Sequence, residues 1–188
     1  MKLVILSIIG LLEITPLFET DFIEHNNAVG RLHNKVLNQL CTAVFISNDL
    51  VLTANHCVFE DRYAKGLIVE TGKDVFHCEE IIYSDAFSDI ATLRCDESND
   101  SFIPQANTVP EIGDDVHIVF QMTKHGDHLN YLSSGKVVNI NDYQLNYDAD
   151  TVPGASGAPI LNSDGHLVGI HTSTKHGIYN IGTRLIRD

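Results

Sequence analysis

The chain has 188 residues, 44% of them apolar, which is enough to bury a core and excludes wholesale disorder. Its formal net charge of −13 argues against nucleic acid as a partner, because phosphate binding needs a basic surface. Four cysteines, an even count, suit an exported protein with disulfides, and no Cys-x-x-Cys pair points to a metal.

Met1-Lys2 is followed by an apolar stretch from Leu3 to Leu12, broken by Glu13. It is too short to span a bilayer, which needs about 20 residues. A basic start, an apolar middle and a polar exit predict a signal peptide over residues 1–20, although no Ala-x-Ala cleavage pattern follows. A buried N-terminal strand or helix is the alternative. No other run approaches a membrane span, so the mature chain is expected to be secreted and without one.

Short apolar runs then recur between turn signals. They are Cys41 to Ile46, Leu50 to Ala54, Gly66 to Glu70, Val75 to Tyr83 and Ile90 to Cys95. The stretch Asp96 to Gln105 is polar and irregular, the best candidate for a linker between two halves, and it contains the glycosylation triplet Asn99-Asp100-Ser101. The pattern resumes with Val116 to Met122, Tyr131 to Ile140, Gln144 to Tyr147, Ala158 to Leu161, His166 to Thr172 and Ile178 to Ile186. Runs so short and so rich in Val, Ile, Thr and Tyr predict an all-β sandwich or barrel. Asn162-Ser163-Asp164-Gly165 predicts a hairpin turn, since Asn, Asp and Gly tolerate positive φ. His125 and His128 flank Gly126-Asp127 in what reads as a solvated loop. No metal site and no cofactor are expected.

Three segments carry chemistry together. They are Leu52-Thr53-Ala54-Asn55-His56-Cys57, Ser88-Asp89-Ile90-Ala91-Thr92-Leu93, and Gly154-Ala155-Ser156-Gly157-Ala158-Pro159. A serine hydroxyl needs a base to become a nucleophile, and histidine is the natural base near neutral pH. A carboxylate fixes that histidine's tautomer, and backbone N–H groups must meet the developing oxyanion. Glycines around Ser156 permit the turn that aims those donors. Asp85 competes with Asp89 as the acid, but Ile90-Ala91 favours Asp89.

These segments resemble the trypsin-like serine proteases. C-T-A-V-F-I-S-N-D-L-V-L-T-A-N-H-C is similar to the family's strand, turn and T-A-A-H-C box. D-I-A-T-L is similar to its D-I-A-L-L, and G-A-S-G-A-P-I-L-N-S-D-G-H-L-V-G-I-H to its G-x-S-G-x-P, hairpin and G-I. The resemblance covers roughly residues 29–187. It implies two packed six-stranded antiparallel β-barrels, the first over residues 21–103 with His56 and Asp89, the second over residues 104–188 with Ser156. It implies a catalytic triad of His56, Asp89 and Ser156, an oxyanion hole from Gly154 and Ser156, and disulfides Cys41–Cys57 and Cys78–Cys95. Thr172 is implied to support the catalytic Asp by a hydrogen bond.

Ala155 departs from the acidic residue that many trypsin-like enzymes keep before the serine. It points to the glutamyl-endopeptidase and viral-type branches. Thr151, five residues before Ser156, and His171, fifteen after it, are similar in offset to the pocket residues of the glutamyl branch, and Gly135-Lys136-Val137 resembles the G-K-V of that branch. A Thr hydroxyl and an imidazole can both donate to a carboxylate or an amide, so the expected residue before the scissile bond is Glu or Gln. Asp150 is the competitor, because it stands where trypsin-like enzymes bind Arg or Lys. It could instead point to solvent, or hold His171 cationic.

The expected function is a secreted, monomeric serine endopeptidase acting on protein or peptide substrates through an acyl-enzyme. The alternatives are Arg/Lys specificity through Asp150, a catalytically silent relative acting as a binding module, and a metal- or thiol-dependent protein.

Overall fold

The computed structural model describes residues 15–16, 27–58, 65–72, 74–124, 127–175 and 177–185. These residues form two antiparallel β-sheets, with a single 3-10 turn at Asn55–Cys57 and no α-helix among them.

The first sheet contains β2 (Val29–Asn34), β3 (Gln39–Phe45), β4 (Leu50–Thr53), β5 (Leu67–Thr71), β6 (Asp74–His77), β7 (Glu80–Asp85) and β8 (Ile90–Arg94). Their order is β6-β5-β2-β3-β4-β8-β7, a curled sheet whose edge strands β6 and β7 are not paired to each other. The second contains β9 (Asp115–Lys124), β10 (Asp127–Ile140), β11 (Gln144–Tyr147), β12 (Pro159–Leu161), β13 (Leu167–Lys175) and β14 (Tyr179–Arg184). Its order β10-β11-β14-β13-β12-β9 closes through β9–β10 into a six-stranded barrel. Closure depends on the long β10, whose first part pairs with β9 and whose last residues pair with β11. A two-residue strand, β1 (Thr15–Pro16), adds to β10 at Tyr131 and Leu132.

The predicted double-barrel, all-β architecture is therefore present, with the first sheet seven-stranded and left open. β1 falls within the stretch read as a signal peptide, the rest of which lies outside the described residues, as does His125. β2 is missing from the predicted runs because V-G-R-L-H-N alternates rather than running apolar, yet Val29 and Leu32 are buried. The run Val75 to Tyr83 is two strands, broken where Cys78 leaves the ladder, donates its N–H to Leu67 O and bonds to Cys95.

Three clusters make up the core. One fills the first sheet around Leu32, Phe45, Leu67 and Leu93. One fills the second barrel around Ile118, Phe120, Leu145 and Ile160. The third joins the sheets through Val29, Val44, Ile103, Val119, Leu161 and Ile170.

The connecting stretch 96–105 is tied down along its length. Asn99 N donates to Asn48 O, Ile103 N to Phe45 O, and Leu167 N to Pro104 O. Asn99 is buried and its amide nitrogen donates to Asn27 O at 2.8 Å, so the atom a glycan would occupy is engaged in the folded chain. Ile103, fully buried, is the apolar plug of this connector. Ile103→Ala should lower the unfolding free energy by about 3 kcal/mol, the usual cost of emptying such a site, with an unchanged denaturant slope in urea titration.

Candidate active site

His56 sits in the 3-10 turn that ends β4, next to the disulfide Cys41–Cys57. Its neighbour Asn55 turns away, its Oδ1 accepting from Ser84 Oγ at 2.8 Å. Asp89 stands at the end of the β7–β8 connection with φ 53°, a left-handed conformation that few non-glycine residues adopt. Asp85 builds the turn that delivers it, accepting from Phe87 N at 3.0 Å, from Ser88 N at 3.3 Å and from Ser88 Oγ. From the second barrel, Thr183 Oγ1 donates to Ser88 O.

Asp89 grips His56 at two points. His56 Nδ1 lies 2.7 Å from Asp89 Oδ2, and His56 N donates to Asp89 Oδ1 at 2.9 Å. A carboxylate on Nδ1 makes that nitrogen the donor and leaves Nε2 as the basic atom. Sulfurs of Cys41 and Cys57 lie within 4.8 Å of this ring, but they are joined in a disulfide and are not metal ligands.

Ser156 lies on the loop between β11 and β12. Thr42 of β3 holds that loop from the first sheet: Thr42 N donates to Ser156 O at 2.7 Å, and Thr42 Oγ1 to Gly154 O at 2.8 Å. Thr53 Oγ1 in turn donates to Thr42 O at 2.8 Å. Gly157 permits this approach. It has φ 85°, and a Cβ there would stand 2.1 Å from Thr42 O and 2.3 Å from Thr53 Oγ1. Gly154, at φ 100°, turns the other end of the loop.

The loop's N–H groups divide in a telling way. Those of Ala155, Gly157 and Ala158 donate to Val152 O, His171 O and Ala155 O. Those of Gly154 and Ser156 donate to no described residue, and the Ser156 hydroxyl likewise makes no hydrogen bond with one. Ala155, which replaces the family's acidic residue, is fully buried in the second barrel's core.

His171 is buried on β13, and its Nδ1 lies 2.6 Å from the hydroxyl of Tyr147, itself fully buried on β11. Burial first, and the nearby His56 charge second, push the His171 pKa down to about 4. The expectation that Asp150 could keep His171 cationic is therefore corrected: the ring is neutral. Burial likewise raises the Tyr147 pKa well above its ordinary value, so the phenol keeps its proton. Tyr147 OH has no other partner among the described residues, so it donates to Nδ1, because a buried hydroxyl proton without an acceptor costs about 1–3 kcal/mol. His171 Nε2 then carries the ring's proton.

Thr151 and the exposed Asp150 line a cavity of about 200 Å³ together with Asp148, Thr174 and Asn180. Thr172 corrects another expectation. Its hydroxyl donates to Ile181 O at 3.1 Å rather than to Asp89, because the bulge in the β13–β14 ladder leaves that carbonyl within reach. It does share with Asp89, Phe87 and Tyr143 the wall of a second cavity, of about 420 Å³. Thr42, Thr183, Tyr147 and Asn180 are the site residues that sequence reasoning missed. Thr42 lies in the C-T-A motif and Tyr147, Asn180 and Thr183 in predicted strand runs, but none of the four carries a site signal of its own.

Residues 41–170 match the family described as trypsin-like peptidase domain, and the chain belongs to that family. Over 48 residues it is 44% identical to the glutamyl endopeptidase of Staphylococcus epidermidis. That match spans 26% of this chain and only 17% of the relative's length. The solved structure of a Glu endopeptidase superposes with a TM-score of 0.79 at 19% identity, covering 95% of this chain and 93% of that one. A serine endoprotease from Yersinia pestis gives 0.73 at 25% identity, over 89% of this chain and 63% of that one. The fold is thus that of chymotrypsin-like enzymes, built here around a trypsin-like peptidase domain.

Because the folded-state pKa of His171 lies below its unfolded value of 6.5, the unfolded chain binds this proton more readily as pH falls. The sign is that stability is intact above pH 6.5 and declines as pH drops towards about 4. Denaturant titrations across that window should show wild type losing about 3 kcal/mol more than His171→Gln.

Proposed function

We propose that the chain is an exported endopeptidase in which Ser156 is the nucleophile, His56 the general base and Asp89 the orienting acid. The observation that carries the reading is the two-point contact of Asp89 on His56, at 2.7 and 2.9 Å. It leaves Nε2 to take the Ser156 hydroxyl proton as Oγ attacks the substrate carbonyl carbon. The oxyanion that forms would accept from the N–H groups of Gly154 and Ser156, which have no other partner among the described residues. His56 then returns the proton to the leaving amine, and water releases the acyl group by the same steps in reverse order. Thr172 contributes to the wall beside Asp89 without touching its carboxylate.

The residue before the scissile bond is Glu or Gln, read by His171 and Thr151. Support comes from a buried neutral imidazole that can donate from Nε2, and from the glutamyl endopeptidase relative. Asp150, exposed, takes no part in gripping Arg or Lys. Residues 1–20 direct export and the mature enzyme is a monomer with a first unit over 21–103 and a second over 104–188.

Purified enzyme should cleave a peptide library and label with a fluorophosphonate, and Ser156→Ala should lose at least about 10⁴-fold in rate together with all labelling. Hydrolysis that survives in Ser156→Ala sinks the nucleophile assignment. Absence of labelling in wild type would instead make the chain a silent relative. A library preference for Arg or Lys sinks the roles given to His171 and Thr151.

A further inference from the structure

Asp89 holds a left-handed backbone, φ 53°, which is uncommon outside glycine. A residue stays in such a conformation where its surroundings over-determine it. What over-determines it here is the residue before it. Ser88 is buried, and all three of its polar groups are engaged. Its N–H donates to Asp85 Oδ2 at 3.3 Å, its Oγ donates to the same oxygen, and its carbonyl accepts from Thr183 Oγ1.

These holds come from different halves. Asp85 ends β7 of the first sheet, and its neighbour Ser84 donates to Asn55 Oδ1 at 2.8 Å, so one end of β7 steadies both the Asp89 turn and the His56 turn. Thr183 belongs to β14 of the second barrel. The other contact from that barrel is Tyr143, whose ring meets Phe87 edge to face at 5.4 Å, and ring contact does not orient a peptide. The turn borders a cavity of about 420 Å³ lined by Ser88, Asp89, Tyr143 and Thr183, so close packing does not substitute for the hydrogen bond.

The Ser88 carbonyl and the Asp89 nitrogen share one rigid peptide plane. The Asp89 φ torsion is measured from that plane, so fixing Ser88 O fixes the frame from which the Asp89 side chain leaves. Both carboxylate oxygens must land at once, Oδ1 on His56 N at 2.9 Å and Oδ2 on His56 Nδ1 at 2.7 Å. A small rotation of the frame moves both.

We propose that Thr183 is a positioning residue for peptide hydrolysis: by donating to Ser88 O it sets the peptide plane before Asp89 and so aims the carboxylate at both His56 nitrogens. The barrel that carries Ser156 thereby orients the acid that serves it. The proposal rests on the triad reading of the preceding subsection and adds a residue to it.

The test is steady-state kinetics on a fluorogenic peptide cleaved by wild type, with the rate of fluorophosphonate labelling beside it. Thr183→Val keeps the shape and removes the donor. Its kcat should fall about tenfold or more, the rate equivalent of one hydrogen bond, with KM within about twofold of wild type. Labelling should slow by a similar factor. Thr183→Ser keeps the hydroxyl and should recover most of kcat. Should Thr183→Val not fold, Thr183→Ser against Thr183→Ala makes the same comparison without the methyl group. Asp85→Ala loosens Ser88 from the other side, and the double variant Thr183→Val/Asp85→Ala should lose less than the product of the single losses, because both act through Ser88. A wild-type kcat without the Thr183 hydroxyl, with only a lower urea midpoint, makes the bond merely structural and overturns the proposal while the triad stands. An equal loss in Thr183→Ser, or a fully multiplicative loss in the double variant, overturns it too. Hydrolysis that survives in Ser156→Ala overturns the triad and this proposal together.

Discussion

Thr42 ties the two halves of the site together. His56 and Asp89 belong to the first sheet, Ser156 to the second barrel, and neither sheet alone positions all three. Thr42 N and Oγ1 hold Ser156 O and Gly154 O from across the interface, at 2.7 and 2.8 Å. Thr183 answers in the other direction, from β14 to Ser88 O, next to Asp89. Each half thus grips a loop of the other, Gly154–Ser156 in one direction and Ser88–Asp89 in the other. The apolar cluster between them, with Val29, Ile103 and Ile170, supplies the driving force, but hydrophobic contact has no direction. The hydrogen bonds supply the register. Gly157 is the condition for all of it, because any side chain there would enter the space of Thr42 O.

The same economy of charge runs through the site. The contact at its centre is His56 with Asp89, both partly exposed, so the carboxylate does not bear the full cost of a buried ion. Behind it the polar groups are neutral and paired: Tyr147 with His171, Thr151 and Thr174 with Asn180, Thr172 with Ile181 O. In a low-dielectric wall, a neutral donor keeps its geometry without the penalty of a buried cation. His171 is such a group, its Nδ1 held by Tyr147 and its ring neutral near neutral pH.

Much of this was legible in the sequence, for a physical reason. The chemistry of the serine loop needs glycines at fixed places, the histidine needs its flanking cysteine, and strand runs declare themselves by short apolar stretches. What stayed hidden are partners that meet only in space. Thr183 lies 95 residues from the Ser88 carbonyl that it holds, and Tyr147 lies 24 from His171. Neither pairing is written in the residues around it. Thr172 shows the converse hazard: a hydroxyl in the expected place met a nearer carbonyl, freed by a bulge that no local pattern announces. β2 was missed because half its residues face a polar side, so its burial shows only once β3 and β5 lie beside it.

The position of Ala155 follows from the same geometry. It is fully buried in the second barrel's core, its N–H on Val152 O and its carbonyl on Ala158 N. A carboxylate there would need a cation to offset burial, and otherwise would cost several kcal/mol. Among the described residues the loop is held instead by Thr42 from outside and by the His171 carbonyl on Gly157 N from below. A loop braced by backbone and hydroxyl groups does not require a charge to arrive before it takes this shape. The shape of the Gly154–Gly157 loop is therefore set by these neutral contacts rather than by an ionic one.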